Sequence, residues 1–232
     1  MKKYCLYVLI GLLLVVGCTG CGKNESEPKK EEEQKIDLVG GYSVINGVAG
    51  TLPEEALRAF NNATKNDKKY TPLALMGTQV VAGTNYMVLA RENDKLVVLV
   101  IFEDLSQKAT ITNTYDFNLL NHLSNDFAVG GNNELAGGWT VSKDGGLNSM
   151  PQNLASAYSE AFTNYEGIRF EPLACVGSQV VAGTNYAMLA RGVVNGETEY
   201  GLYIVVIYDD INGNASVKSV NHIDLASINN NN

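Results

Sequence analysis

The sequence predicts an α+β fold of two tandem domains, each a single helix packed across a four- to five-stranded antiparallel sheet. Three observations lead there. The octapeptide Gln-Val-Val-Ala-Gly-Thr-Asn-Tyr occurs twice, at Gln79–Tyr86 and at Gln179–Tyr186, inside segments that otherwise differ considerably. The repeat spacing is about that of a small domain, and a chain of 232 residues accommodates two. In each copy, one stretch with apolar residues at helical spacing is followed by strands alone.

The chain opens with Met1-Lys2-Lys3, an apolar run from Leu6 to Val16, and Gly17-Cys18. A basic start, a short apolar stretch and a small residue are the parts of a secretory signal, and the run is short for a bilayer span. Val15-Val16-Gly17-Cys18 resembles the bacterial lipobox, which implies a signal peptide over 1–17 and a lipid on Cys18. The protein is then expected to be extracytoplasmic and anchored to the cell membrane through the lipid on that cysteine, with two or more acyl chains needed for firm anchoring. A plain cleaved signal or an uncleaved anchor are the alternatives. Residues 18–37 follow; the stretch Lys23–Lys35, which includes Glu31-Glu32-Glu33, lacks aromatic and β-branched residues and reads as a disordered tether.

The first domain, 38–125, starts near Leu38-Val39-Gly40-Gly41-Tyr42, and the second, 126–232, holds the matching Leu135-Ala136-Gly137-Gly138-Trp139. Each pairs two glycines with an aromatic residue and predicts a short strand; Tyr42 and Trp139 are read as strand residues packing on their domains. The first helix has Thr51 and Glu54 as a capping box, Pro53 in its first turn, and an apolar stripe of Ala56, Ala59, Phe60 and Ala63. The second has Ser149 and Gln152 in the capping roles and a stripe of Leu154, Ala157, Tyr158, Ala161 and Phe162. One apolar face per helix implies one sheet to cover. The expected strands are Pro72–Val81, Tyr86–Arg91, Leu96–Phe102 and Thr110–Phe117, with counterparts Pro172–Val181, Tyr186–Arg191, Gly201–Tyr208 and Ser216–Ile223. Each octapeptide then forms a hairpin tip, with Ala-Gly-Thr-Asn supplying the turn chemistry. The loops Glu103–Ala109 and Asp209–Ala215 turn at the same end of the sheet. A tip in water has no reason of its own to carry two valines unless something covers them.

Charge and composition argue against several functions. A net charge of -8 disfavours nucleic acid and anionic membrane surfaces as partners. Cys175 stands where the first copy has Leu75, so it reads as a small apolar core residue. His122 and His222, the only histidines, fall at non-equivalent positions in the repeats, and no serine or cysteine is tied to either by a catalytic pattern. The pairs Glu103-Asp104 and Asp209-Asp210 read as solvated turn residues. No metal-ligand spacing or phosphate-binding glycine loop is present. Neither an enzyme nor a small-molecule substrate or cofactor is expected.

The repeats resemble the cystatin family, the protein inhibitors of papain-like cysteine proteases. Gln79-Val80-Val81-Ala82-Gly83 and Gln179-Val180-Val181-Ala182-Gly183 fit the family's Gln-x-Val-x-Gly hairpin, and the Thr-Asn-Tyr that follows is especially similar to the disulfide-free stefin branch. Val39, Gly40 and Gly41 resemble the family's amino-terminal trunk. In the second copy Ala136, Gly137 and Gly138 share that role with the competing Val129-Gly130-Gly131. The order of elements also agrees over nearly all of both repeats. Many cystatins present a Pro-Trp pair on the second hairpin. Here the loops read Asp104-Leu105-Ser106-Gln107 and Asp210-Ile211-Asn212-Gly213, so the resemblance implies that Leu105 and Ile211 take the place of that tryptophan. The resemblance implies reversible inhibition by a wedge of trunk and two hairpins that covers the protease's active-site cleft. A surface binding module that uses the same scaffold without inhibiting is the rival expectation, since a fold does not establish a function.

Overall fold

The computed structural model describes residues 41–44, 52–124, 138–143, 152–163, 165–166, 168–193 and 199–228. The signal peptide, Cys18, the tether, Val39, Gly40, Thr51, Val129-Gly130-Gly131, Ala136, Gly137 and Ser149 lie outside the described residues.

Among the described residues, a helix α1 (Glu54–Thr64) precedes four strands, β1 (Tyr70–Val81), β2 (Gly83–Glu92), β3 (Lys95–Glu103) and β4 (Ala109–Asp116). A 3-10 turn, Leu119–His122, follows. The second half contributes β5 (Trp139–Val141), α2 (Gln152–Phe162), β6 (Arg169–Val181), β7 (Gly183–Val193), β8 (Gly201–Asp209), β9 (Ala215–Ile223) and a one-turn helix α3 (Leu225–Ile228). They form two antiparallel sheets, ordered β1-β2-β3-β4 and β5-β6-β7-β8-β9. The α+β class and the antiparallel sheets, of four and five strands, fall within the four to five strands per sheet that the sequence predicts. The strands run one to three residues longer at several ends than the apolar pattern alone indicates. In the first half the expected leading strand is reduced to a single antiparallel bridge between Ser43 and Thr78.

Helix α1 begins differently from the capping-box expectation. Pro53 occupies the N-cap position, its carbonyl accepting from Leu57 N at 2.9 Å, and no side chain among the described residues caps the helix. Glu54 and Glu55 instead place negative charge in the first turn, where the helix dipole favours it. Ala56, Ala59 and Phe60 are buried against Leu75, Tyr86, Val88, Val97, Leu99 and Ile101 of the first sheet. In the second half, Leu154 and Ala157 meet Cys175, Met188, Val205 and Ile207, so Cys175 is the core residue that its position suggests.

A third core lies between the sheets. Leu73, Met76, Met87, Leu89, Leu96 and Val98 of the first sheet join Leu173, Val176, Ala187, Leu189, Leu202 and Ile204 of the second in one buried cluster. The strand pleat explains the division: along β3, Val97, Leu99 and Ile101 face α1, while Leu96, Val98 and Val100 face the other sheet. The result is four layers, helix on sheet on sheet on helix. Strands covered on both faces carry nearly continuous apolar runs, as Leu96–Phe102 and Leu202–Tyr208 do.

The two halves exchange equivalent contacts. A Cβ placed on Gly177 would lie 2.7 Å from Leu119 Cδ2, and one on Gly77 would lie 3.0 Å from Leu225 Cδ1. Leu119 and Leu225 hold the same place in their repeats, two residues after Phe117 and Ile223. Asn118 and Asp224 initiate the same turn in each: Asn118 Oδ1 accepts from Leu120 N at 3.1 Å, and Asp224 Oδ1 from Ala226 N at 2.9 Å. Each repeat thus sets its C-terminal leucine on the other's glycine, at a register shift in the long first strand of the hairpin. Arg91 Nη1 adds hydrogen bonds to the carbonyls of Ser142 and Lys143, at 2.9 and 2.8 Å, tying the distal end of the first sheet to the chain after β5.

Candidate functional site

Each octapeptide closes a hairpin whose tip is a single residue. Val81 pairs with Gly83 and Val181 with Gly183, leaving Ala82 and Ala182 at the apex. Below the apex, Gln79 faces Asn85 and Gln179 faces Asn185. Asn85 Nδ2 donates to Gln79 Oε1 at 2.9 Å, and Asn185 Nδ2 to Gln179 Oε1 at 2.7 Å. The glutamine and asparagine of the motif therefore brace the neck of the hairpin. The sequence predicts Ala82–Asn85 as the turn, with the strand resuming at Tyr86; the structure instead starts β2 at Gly83 and β7 at Gly183, and this one-residue tip is what sets glutamine against asparagine.

The glycine of the motif is required by its surroundings. Gly83 has φ +138°, and a Cβ there would come within 2.4 Å of the Glu103 carbonyl oxygen and 2.8 Å of the Phe102 ring. Gly183, at φ +127°, has the Asp209 carbonyl at 2.3 Å by the same measure. A side chain at either place would push the first hairpin away from the second. The pairings of Thr84 with Glu103 and of Thr184 with Asp209 hold the two turns side by side at one end of each sheet. In the second copy Tyr208 also donates its hydroxyl to the Ala182 carbonyl at 2.5 Å, a bond that Phe102 cannot make in the first.

The second turns are built around an aspartate. Asp104 Oδ1 accepts from Ser106 N at 2.8 Å, Ser106 Oγ at 2.6 Å and Lys108 N at 3.0 Å. Asp210 Oδ1 accepts from Asn212 N at 2.7 Å and Asn214 N at 2.9 Å, and Asp210 Oδ2 from Asn214 Nδ2 at 2.8 Å. The Ser106 hydroxyl first, then the Lys108 amide, hold the Asp104 carboxyl below the usual range; Asn214 does the same for Asp210. Gln107 and Gly213 take the positive φ that closes each loop, 64° and 83°. The residue after each aspartate, Leu105 or Ile211, is left pointing into water.

Glu103 corrects the expectation of a solvated carboxylate pair. It is 5% exposed and takes a fork from Arg58 of α1, with Nε to Oε1 at 3.2 Å and Nη2 to Oε2 at 2.9 Å, while the Tyr86 hydroxyl lies 3.4 Å from Oε2. Burial first, and the Glu103 charge second, push the Tyr86 hydroxyl up. Asp104 and Asp210, by contrast, are the turn-forming residues that the sequence suggests.

The trunks enter beside the hairpins. Ser43 bonds to Thr78 in both directions, N to O at 2.8 Å and O from N at 3.0 Å, which aligns Gly41 with the hairpin neck. A Cβ on Gly41 would lie 2.8 Å from Gln79 Nε2. In the second copy Trp139 pairs with Gln179 and Thr140 with Ser178, so Gly138 adjoins Val180. Of the two competing glycine pairs, only the one ending in Gly138 reaches the described residues. Trp139, the first residue of β5, is buried in the shared core, in keeping with its reading as a strand residue. Tyr42 packs against that core but precedes the Ser43 bridge and lies in no strand.

Among the described residues, the large apolar side chains exposed to water are concentrated at these edges. Val80 is 85% exposed, Val81 45% and Leu105 89%, against 84% for Val180, 45% for Val181 and 83% for Ile211. The remaining one, Tyr165, follows α2. Compared with protein-family models and with curated protein sequences, the chain matches none of them.

Proposed function

We propose that this chain is a reversible inhibitor of papain-like cysteine proteases that acts by steric blockade of the active-site cleft. The observation that carries the reading is the joint exposure of Val80, Val81 and Leu105 on two adjacent turns held together by a rigid sheet. Gln79, Ala82 and Gly83 shape the first turn, and Gly41, with Val39 and Gly40 before it in the chain, forms the trunk beside it. The second copy offers Gln179, Val180, Val181, Ala182, Gly183 and Ile211, with Ala136, Gly137 and Gly138 as its trunk.

Such an edge blocks a cleft without chemistry. A narrow apolar wedge buries its valines and leucine against the walls and puts no peptide bond in line for attack. Covering what these three side chains expose, about two full side chains' worth because Val81 is only 45% exposed, contributes roughly 3–6 kcal/mol at about 1.5–3 kcal/mol per side chain. The braced neck and the aspartate-centred loop are already ordered, so little conformational entropy is lost on docking. In this reading the protein sits outside the cytoplasm, held to the membrane by the lipid on Cys18, with the protease as its macromolecular partner and no nucleic acid, small-molecule substrate, cofactor or metal.

The test is a titration of active papain with the soluble chain starting at Lys23, following residual hydrolysis of a small fluorogenic peptide. Inhibition at submicromolar concentration is expected, and it disappears when Val80, Val81, Val180 and Val181 are all replaced by aspartate while the circular dichroism melt is kept. A wild-type chain that leaves several papain-like proteases fully active at high micromolar concentration sinks the proposal and leaves a non-inhibitory binding module in its place.

A further inference from the structure

Resting on that reading, we infer that both edges are competent and that one chain holds two protease molecules at once, one at each pole. The inference comes from how the two sheets lie on each other. Gly77, four residues from the apex valine Val81, touches Leu225, which follows the end of β9 farthest from the second copy's tip. Gly177, four residues from Val181, touches Leu119, which follows the far end of β4. The tip-proximal part of each sheet therefore covers the distal part of the other, so the sheets run in opposite senses and the tips point away from each other. Arg91, near the far end of β2, agrees with this, reaching the carbonyls of Ser142 and Lys143 just past β5.

Residue counting sets the separation. About four residues of strand lie between an apex valine and its contact glycine, and about ten between the level of the touching leucine and the opposite tip. At about 3.3 Å per residue the tips are roughly 45 Å apart. That is comparable to the diameter of a small protease, and the two bound molecules would extend in opposite directions from it. The described residues of the other half leave both tips open to water, Val80 and Val180 being 85% and 84% exposed and Val81 and Val181 45% each. The buried inner faces by which the halves join include none of Val80, Val81, Leu105, Val180, Val181 and Ile211, although Gln79 and Asn85 at the neck of the first hairpin line a cleft with Gly201, His222 and Leu225 of the other half. Occupying one tip thus leaves the other open.

The experiment is sedimentation velocity or light scattering of the soluble chain with a threefold excess of papain whose catalytic cysteine is replaced by serine. A complex of two papain molecules per chain is expected. The double variants V80D/V81D and V180D/V181D should each fall to one, and the quadruple variant to none, with unchanged melting temperatures as the folding control. A wild-type complex that saturates at one papain overturns the bivalent arrangement while leaving the wedge reading intact, and so does a two-to-one complex that neither double variant reduces. No complex at any concentration removes the wedge reading and this inference together.

Discussion

Cutting the chain between its repeats tests the four-layer arrangement. If the sheets share a core, two separate halves, divided within 125–137, each expose an apolar sheet face. On the first half that face carries Leu73, Met76, Met87, Leu89 and Val98, all 0% exposed in the intact chain, with Leu96 at 4% and Val100 at 7%. Leaving even three of these uncovered costs about 5–9 kcal/mol at about 1.5–3 kcal/mol per large side chain. A whole domain is stable by only about 5–15 kcal/mol. A lone half should therefore either unfold or pair with a second copy of itself, face to face, as the two repeats do within the chain. The assay is light scattering with circular dichroism on each half alone and on the two mixed. The mixture is expected to assemble one-to-one and regain the cooperative melt of the intact protein. A half that stays monomeric at high micromolar concentration and unfolds cooperatively, as stably as the intact chain, would falsify the shared-core argument.

The remaining predictions concern the edges. Gly83→Ala forces a side chain into φ +138° and toward the Glu103 carbonyl, so it should destabilise the protein by about 2–3 kcal/mol in urea unfolding. Gly138→Ala, at φ +77° with nothing within 4 Å of the new Cβ, serves as the comparison and should cost only about 1 kcal/mol; equal losses would show that contact with Glu103 is unimportant. The second loop should be acid-resistant. The folded Asp104 carboxyl lies below its ordinary 3.8, so its contribution to loop order is complete above that value and is lost as the pH falls through the depressed folded value. The Ser106 and Lys108 amide resonances should keep their native shifts from pH 7 to pH 5, and the D104A variant should lose them at every pH; native shifts in that variant would contradict the assigned role of Asp104.

Much of the candidate site was legible in the sequence because its determinants are local. A tight turn needs glycine where φ is positive, and an aspartate followed by small polar residues makes its own loop. Two valines at a turn advertise an exposed tip. The Gln79–Asn85 brace was missed because turn chemistry puts Asn85 in the turn, whereas the strand resumes already at Gly83 and so sets residues six apart against each other. Glu103 was misread because its partner, Arg58, is 45 positions away on the helix, and nothing in the neighbouring residues distinguishes a buried turn carboxylate from a solvated one.

By itself, the sequence determined the α+β class, the repeat, the order of helix and strands in each copy, and the turns that carry the exposed residues. These follow from periodicity and turn chemistry, which act over a few residues. Only the tertiary structure decided that the two sheets lie back to back in opposite senses. The continuous apolar runs of β3 and β8 announce strands covered on both faces, but hydrophobic burial is non-directional and does not say which surface does the covering. That choice rests on shape: Leu119 and Leu225 each fit a glycine of the opposite repeat, and this fit sends the two edges to opposite poles.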